Sequence, residues 1–231
     1  MTAATRLPSA HPAPPGRPWE DDPFAEAVRA GRGPLWLRRA DGSRQVLDVA
    51  RWCAPAAGAD HSLLLRCTGL SAPVLDLGCG PGRLVAELLA MGVPALGVDL
   101  SGASVDHTVR LGGLALRRSV FDRLPAEGRW GAVLLADGNL GIGGDPTALL
   151  ARAVSLLAPA GLLLVEVEPE EVDEHTTVRV EGPGGRLGPP FRWSRCGRAA
   201  ILRRAHHLRL AESEHWTSHG RAFLALRRAA L

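Results

Sequence analysis

The stretch Val74-Leu75-Asp76-Leu77-Gly78-Cys79-Gly80-Pro81-Gly82-Arg83-Leu84 decides how this chain folds. Its first four residues form a short apolar run, which is typical of a buried parallel strand. Three alternating glycines follow, and a helical apolar pattern begins at Leu84. Because glycine has no Cβ, such a turn lets a ligand approach the backbone, and the N–H groups of the next helix face the same place. The pattern indicates a cradle for a nucleotide-like cofactor.

The spacing of the glycines indicates which cofactor to expect. A dinucleotide motif, G-x-G-x-x-G, would need glycine where this chain has Arg83. The chain instead reads D-x-G-x-G-x-G, which resembles the first motif of class I S-adenosylmethionine (SAM)-dependent methyltransferases. A glycine-rich turn without a ligand is the alternative. The resemblance implies that SAM is the cofactor and that the motif binds it through Asp76, Gly78, Cys79, Gly80 and Gly82.

Composition places the chain among ordinary globular proteins. Its 231 residues are 46% hydrophobic and 22% charged, enough for one α/β domain with an appendage. The net charge of +3 comes from arginine alone, because lysine is absent, and the arginines are scattered among acids. We therefore expect no nucleic-acid partner.

Cysteine spacing and hydropathy indicate which cellular compartment to expect. The four cysteines form no C-x-x-C pair and no metal-like spacing, so we expect no metal. The chain shows neither a signal-peptide pattern nor an apolar segment long enough to span a bilayer. A cytoplasmic protein without a membrane partner is expected, while its oligomeric state stays open.

The chain divides into three predicted parts. Residues 1–18 hold five prolines and predict a disordered tail. Residues 19–70 predict a cap segment: a helix opened by Asp22 and Pro23 and ended by Gly31, a hairpin with a type I′ turn at Asp41-Gly42, and one or two further helices. Residues 71–231 predict the SAM-binding methyltransferase domain.

That third part shows alternating strands and helices. Strands are predicted at 74–77, 95–98, 114–120, 132–136 and 162–165, and the helix opened by Asp145-Pro146 should end at Pro159 and Gly161. A helix over 198–206 and two strand-like runs, 208–217 and 221–227, complete the chain. Five β/α repeats followed by an antiparallel hairpin resemble the sheet of class I methyltransferases. We predict a Rossmann-like, seven-stranded sheet with helices on both faces.

The second predicted strand ends at Asp99, 23 positions after Asp76. An acid placed there accepts hydrogen bonds from ribose hydroxyls. The resemblance assigns that role to Asp99, with Leu100 beside it. The alternative is an aspartate that only caps the following helix.

Adenine recognition departs from the family pattern. A Gly-Asp pair follows the third strand in the family, whereas Arg118-Ser119 stands here. Adenine would be held by Ser119 or Asp122 and by the Val120 N–H, with Phe121 packed on the ring face. These alternatives stay open.

The fourth strand ends at Asp137-Gly138-Asn139, at the sheet edge where open α/β folds bind ligands. The segment is similar to the Asn-x-Leu-Gly segment of many small-molecule methyltransferases, which implies that it lies near the SAM amino acid and the methyl group. A glycine-rich loop without a ligand is the alternative. Asp137, Glu168 and His175 are the candidate catalytic residues. The acids between Glu166 and Glu171 equally suit a solvated loop.

The sequence predicts a SAM-dependent methyltransferase that acts on oxygen, nitrogen or carbon of a small molecule. One alternative keeps the fold but methylates RNA or protein. Another is a non-catalytic module that only binds SAM. An NAD oxidoreductase is disfavoured by Arg83 and by the C-terminal hairpin.

Overall fold

The computed structural model describes Trp19 and residues 22–229, so the tail predicted at 1–18 lies outside the described residues. The N-terminal elements are α1 (Pro23–Ala30), β1 (Trp36–Arg39), β2 (Arg44–Val46), α2 (Val49–Cys53) and α3 (Ala59–Leu64). The central elements are β3 (Val74–Leu77), α4 (Arg83–Ala90), β4 (Ala95–Asp99), α5 (Gly102–Arg110), β5 (Ala115–Arg117), β6 (Trp130–Leu135), α6 (Pro146–Leu156) and β7 (Leu157–Val167). The C-terminal elements are β8 (Asp173–Glu181), β9 (Phe191–Cys196), α7 (Arg198–His207), β10 (Leu210–Ser218) and β11 (Arg221–Arg228).

Seven strands form the main sheet, in the order β10-β11-β7-β6-β3-β4-β5. The central strand β3 pairs in parallel with both β4 and β6. The C-terminal hairpin of β10 and β11 is antiparallel and joins the sheet through β7. This arrangement confirms the predicted seven-stranded sheet with its antiparallel hairpin.

Alternation along β3 creates a core on each face of the main sheet. Leu75 and Leu77 pack into a cluster that includes buried residues of α6 and α7. Val74 packs on the opposite face, with buried residues of α3 and α4. Because both faces are covered by helices, nearly every side chain of the strand must be apolar.

A second sheet, which we call the lid sheet, has the order β2-β1-β8-β9. It joins the predicted N-terminal hairpin to two strands inserted between β7 and α7. Leu37 of β1 pairs with Val180 of β8, and both belong to an apolar cluster that contains Phe24 and Val28 of α1. The interpretation of the acidic residues between Glu166 and Glu171 as a solvated loop is only partly right, because the loop is short and strand β8 begins at Asp173.

The first helix begins and ends as predicted. Asp22 accepts hydrogen bonds from the N–H groups of Phe24 and Ala25, both at 3.1 Å. Pro23 occupies the first helical position, and Gly31 follows the helix with a φ of +68°. These local signals suffice because capping involves only adjacent residues.

The turn between β1 and β2 was predicted wrongly. The Arg39 N–H donates to the carbonyl of Ser43 at 2.9 Å, and the Gly42 N–H donates to the carbonyl of Arg39 at 3.1 Å. Gly42 has a φ of +85°, whereas Asp41 is not left-handed. The loop therefore has three residues, with glycine in the left-handed position, and is not a type I′ turn.

Two predicted boundaries also differ from the structure. Helix α6 ends at Leu156, so Pro159 and Gly161 lie inside β7 rather than ending the helix. The pairing of β7 with β6 shifts register between Trp130 and Ala132, and such an irregularity accommodates proline in a strand. Strand β5 covers only three residues of the predicted 114–120. Within the described residues, no helix is long and apolar enough to cross a membrane.

Candidate active site

The glycine turn after β3 is left-handed at all three glycines. Gly78, Gly80 and Gly82 have φ values of +75°, +52° and +86°. A Cβ on Gly78 would lie 2.7 Å from the side chain of Ile142, and one on Gly82 would lie 2.2 Å from that of Thr108. A Cβ on Gly80 would meet nothing within 4 Å. Packing thus requires glycine at two of these positions, whereas Gly80 borders open space.

That space is a cavity of about 310 Å³, which we call the cofactor cavity. It opens at the carboxyl ends of β3, β4 and β6, where open α/β sheets bind ligands. Ten of the predicted site residues line it: Gly78, Cys79, Gly80, Asp99, Leu100, Ser119, Val120, Phe121, Asp137 and Asn139. Three do not line it, namely Asp76, Gly82 and Gly138. Gly82 precedes α4 as its N-cap residue, and Gly138 lines a second cavity.

Asp99 connects the second strand to the glycine turn. Its Oδ2 accepts a hydrogen bond from the Gly80 N–H, and its Oδ1 accepts one from the Ser101 N–H, both at 2.8 Å. Ser101 is the N-cap residue of α5, and its Oγ accepts from the Ser104 N–H at 3.3 Å. The capping role therefore belongs to Ser101. Burial raises the pKa of Asp99, and the two N–H groups oppose that shift. Each carboxylate oxygen keeps a lone pair for a ligand hydroxyl.

Asp76 lies at the base of the site. Its side chain is 1% exposed, and neither carboxylate oxygen has a hydrogen-bond partner among the described residues. Burial, reinforced by the negative charge of Asp137, raises the pKa of Asp76 to about 7. A buried carboxylate without a partner is costly when it is ionised. Asp76 does not line the cofactor cavity, so the cost of ionising it falls on the stability of the fold.

The segment after β5 forms one wall of the cofactor cavity. Ser119 Oγ accepts a hydrogen bond from the Phe121 N–H at 3.2 Å. Asp122 Oδ2 accepts from the Ser119 N–H at 3.3 Å, and Asp122 is not among the residues that line the cavity. Phe121 is 43% exposed as a residue, so its ring is available for stacking.

Asn139 ties the loop after β6 to the glycine turn. Its Nδ2 donates to the carbonyl oxygens of Leu77 at 2.9 Å and Gly78 at 2.8 Å. Asn139 is the one asparagine of the chain. Its amide therefore fixes the start of the turn, in addition to lining the cavity.

A buried ion pair supports the turn from the helix side. Arg83, the first residue of α4, is 4% exposed. Its Nε and Nη2 donate to Asp60 at 2.9 Å and 2.8 Å, and its Nη1 lies 2.6 Å from Asp137 Oδ2. Burial disfavours the charge of Arg83, but the carboxylates of Asp60 and Asp137 outweigh it and raise the pKa of the guanidinium.

Asp137 is held by two further guanidiniums. Arg51 Nη2 lies 2.9 Å and Arg221 Nη2 3.0 Å from its Oδ1. Arg221 also pairs with Glu166 at 2.7 Å. Burial alone would raise the pKa of Asp137, but the guanidiniums, that of Arg83 first, lower it below its usual range. The carboxylate is thus ionised and its oxygens are engaged.

The other two catalytic candidates are also engaged. Glu168 lines the second cavity and accepts two hydrogen bonds from Arg195, at 3.0 Å and 2.7 Å. His175 lines neither cavity. Its Nδ1 lies 3.2 Å from the carbonyl oxygen of Gly144 and 3.1 Å from Ser194 Oγ.

An aromatic roof covers the cofactor cavity and was not predicted from the sequence. Among the cavity-lining residues, it comprises Trp19, Phe24, Trp52, Phe191 and Trp193. The ring centroids of Trp19 and Phe191 are 4.7 Å apart, and those of Phe191 and Trp193 are 5.9 Å apart. The whole chain has six tryptophans and four phenylalanines, so half of its large aromatic residues meet here. The sequence contains few large aromatic residues, which was the one signal available. Because the roof residues lie far apart along the chain, no local pattern indicated that they form a cluster.

Residues 50–220 match the family described as the methyltransferase domain. No curated protein matches the chain by sequence. A SAM-dependent methyltransferase from Bacteroides fragilis in complex with S-adenosyl-L-homocysteine is similar in structure, with a TM-score of 0.77 and 21% identity over 93% of this chain and 98% of that chain.

Two further solved structures are similar over about three quarters of the chain. One is the 1,6-didemethyltoxoflavin-N1-methyltransferase from Burkholderia thailandensis, with a TM-score of 0.54 and 20% identity over 74% of this chain and 77% of that chain. The other is a sugar N-methyltransferase from Streptoalloteichus sp. ATCC 53650, with a TM-score of 0.53 and 20% identity over 74% of this chain and 86% of that chain. At these sequence identities, structural similarity supports the fold but does not indicate which molecule accepts the methyl group.

The match to the methyltransferase domain family includes the whole glycine turn, Asp99 and the loop after β6. The strand order and the antiparallel C-terminal hairpin agree with it independently. The chain therefore belongs to the methyltransferase domain family, which confirms the resemblance to SAM-dependent methyltransferases inferred from its glycine motif.

Proposed function

We propose that this chain transfers a methyl group from SAM to a small-molecule acceptor that has an apolar or aromatic surface. One observation carries the proposal: the same cavity is lined by Gly80 and Asp99 and by the aromatic roof. SAM supplies a methyl group on a positively charged sulfur, which is already an activated donor. Positioning of the two reactants can therefore provide most of the rate.

The residues of the cavity fit the parts of SAM. The bare backbone at Gly80 would allow close approach of the cofactor, and Asp99 would accept hydrogen bonds from its ribose hydroxyls. Ser119 and Phe121 would contact the edge and the face of the adenine.

The acceptor would lie under the lid sheet. We propose that residues 71–231 carry the cofactor site and that the cap segment 19–70, together with β8 and β9, forms the acceptor side. The aromatic roof provides flat apolar surface for such a molecule. The similar proteins from Burkholderia thailandensis and Streptoalloteichus are named for small acceptors, which supports this class of acceptor.

Two alternatives fit the site less well. A methyltransferase for RNA needs cationic groups that are free to contact phosphates. Arg51, Arg83 and Arg221, which lie at or beside the cavity, are instead paired with carboxylates, which leaves Arg118 and Arg192 as the cavity-lining arginines that could contact a phosphate. A module that only binds SAM would not need an aromatic roof over the cavity in addition to the glycine turn and Asp99.

The experiment is native mass spectrometry of the freshly purified protein, followed by an assay for S-adenosylhomocysteine formation. The assay compares a library of small aromatic and heterocyclic amines and phenols with total RNA and mixed peptides. We expect bound SAM or S-adenosylhomocysteine, and turnover with a small molecule. Turnover with RNA or peptide alone would contradict the acceptor class, and bound SAM without turnover on any acceptor would favour the binding module.

A further inference from the structure

A second cavity of about 230 Å³, which we call the side chamber, adjoins the cofactor cavity. It lies between the lid sheet, the start of α2 and the ends of β6 and β7. Trp52, Asp137 and Trp193 line both spaces. A molecule under the aromatic roof could therefore extend into the side chamber while its reacting atom stays beside the cofactor.

The charged groups of the side chamber are largely paired with one another. Glu166 contacts Arg221 at 2.7 Å, and Glu168 contacts Arg195 at the same distance. Four carboxylates and three guanidiniums line the chamber, so it has no excess of positive charge. A formal anion would bind weakly there, because no free cation would offset the free-energy cost of removing the anion from water.

Two hydrogen-bond donors at the chamber nevertheless have no partner. Arg51 Nη1 and Trp52 Nε1 are buried, and neither has an acceptor within the described part of the chain. They belong to adjacent residues of α2, and both side chains line the side chamber. Buried polar atoms in native proteins normally have a partner, and leaving a donor without one is costly. These two donors are therefore available to an acceptor atom that enters the chamber.

We propose that the side chamber is a subsite for a neutral oxygen of the methyl acceptor, a carbonyl or hydroxyl group, which Arg51 Nη1 and Trp52 Nε1 bind. The inference rests on the proposed function, because the acceptor is the molecule that must reach both spaces. Leu37, Leu47 and Trp193 supply apolar walls, so the oxygen would be carried by an aromatic or aliphatic framework. The oxygen should be neutral, because the side chamber has no excess positive charge that would stabilise an anion.

Nuclear magnetic resonance of the ¹⁵N-labelled protein can test this directly, because each of the six tryptophans contributes one indole N–H signal. The protein is saturated with S-adenosylhomocysteine and then titrated with benzamide, and in parallel with benzoate. We expect the Trp52 indole signal to shift downfield with benzamide, and benzamide to bind more tightly than benzoate. The signals of Trp130 and Trp216 should stay in place, because their Nε1 atoms already donate to Pro125 O at 2.9 Å and to Ser62 Oγ at 3.0 Å.

A conservative variant separates the hydrogen bond from the packing. Trp52→Phe keeps an aromatic ring but removes the donor, and it also assigns the signal. It should weaken benzamide binding about three- to tenfold. Trp36→Phe is the matched control, since Trp36 lines neither cavity, and it should bind benzamide like the unaltered protein.

Three results would count against the inference. A Trp52 signal that moves with S-adenosylhomocysteine alone, and no further with benzamide, would mean that the donors serve the cofactor. Tighter binding of benzoate than of benzamide would mean an anion site. No Trp52 shift, together with a Gly80 amide that responds to S-adenosylhomocysteine, would overturn the subsite alone. If the Gly80 amide does not respond either, the proposed function fails, and the subsite inference falls with it.

Discussion

The Gly80 N–H donates to Asp99 Oδ2 at 2.8 Å, so the acid at the end of β4 holds the middle of the glycine turn. The same carboxylate lines the cofactor cavity. Asp99 thus shapes the cradle and also offers the cofactor an acceptor. The neighbouring Ser101 carries out the separate task of capping α5.

Asp99→Ala should weaken SAM binding by about 2–4 kcal/mol, or roughly 30- to 800-fold, because two hydroxyl donors would lose a charged acceptor. Calorimetric titration measures the affinity, and a thermal melt on the same sample measures stability. Ser101→Ala is the control: it should lower stability by about 1 kcal/mol and leave the affinity unchanged. Equal SAM affinity in Asp99→Ala and unaltered protein would show that Asp99 has no part in binding.

Asp76→Asn should remove a pH dependence of stability. Burial raises the pKa of Asp76 from 3.8 to about 7, so the folded state takes up a proton between those values. The stability that this proton provides is full below pH 4 and is lost as the pH rises to about 7. The free energy of unfolding of the unaltered protein, relative to that of the variant, should therefore fall by about 2–3 kcal/mol between pH 5 and pH 7.5.

Chemical unfolding of both proteins at the two pH values, without cofactor, measures this difference. The variant is its own control, because all other titrating groups are shared and cancel in the comparison. Parallel stability curves for the two proteins would mean that Asp76 ionises normally in the folded state.

Arg83→Met should cost about 3–5 kcal/mol of folding stability, since it leaves the buried carboxylates of Asp60 and Asp137 short of a partner. Arg198→Met offers a matched comparison, because Arg198 pairs with Glu212 at the surface, where an ion pair contributes little to stability. Denaturant midpoints with unchanged m-values report both effects. Similar losses in the two variants would show that the buried pair is no stronger than the surface pair.

Much of the main sheet was predictable because its signals are local. The strand at Val74–Leu77 is apolar along its length, and the cap of α1 uses Asp22 and its next neighbours. The glycine turn likewise depends on residues adjacent in sequence. Ten of the predicted site residues line one cavity because the ends of neighbouring parallel strands meet at one edge of the sheet.

The lid sheet was not predicted because its pattern is not local. Strand β8 is exposed over its first half and buried mainly near its end, at Val178 and Val180. Its acidic, threonine-containing sequence becomes a strand through pairing with β1, which lies about 140 residues earlier in the chain. The ion pair between Asp60 and Arg221 joins residues even further apart. No periodicity in one segment reports such contacts.

Binding of SAM to Gly80→Val, measured against Gly112→Val, tests most directly whether the glycine turn and its cavity hold the cofactor. Both glycines are left-handed, at φ +52° and +82°, and a Cβ on either meets nothing within 4 Å. Valine should therefore strain the two positions by a similar amount, about 1–2 kcal/mol, but only at position 80 would it occupy space in the cavity. Calorimetric titration should show saturable SAM binding by the unaltered protein and by Gly112→Val, and none by folded Gly80→Val. SAM affinity in Gly80→Val equal to that in Gly112→Val would contradict the assignment of this cavity to the cofactor.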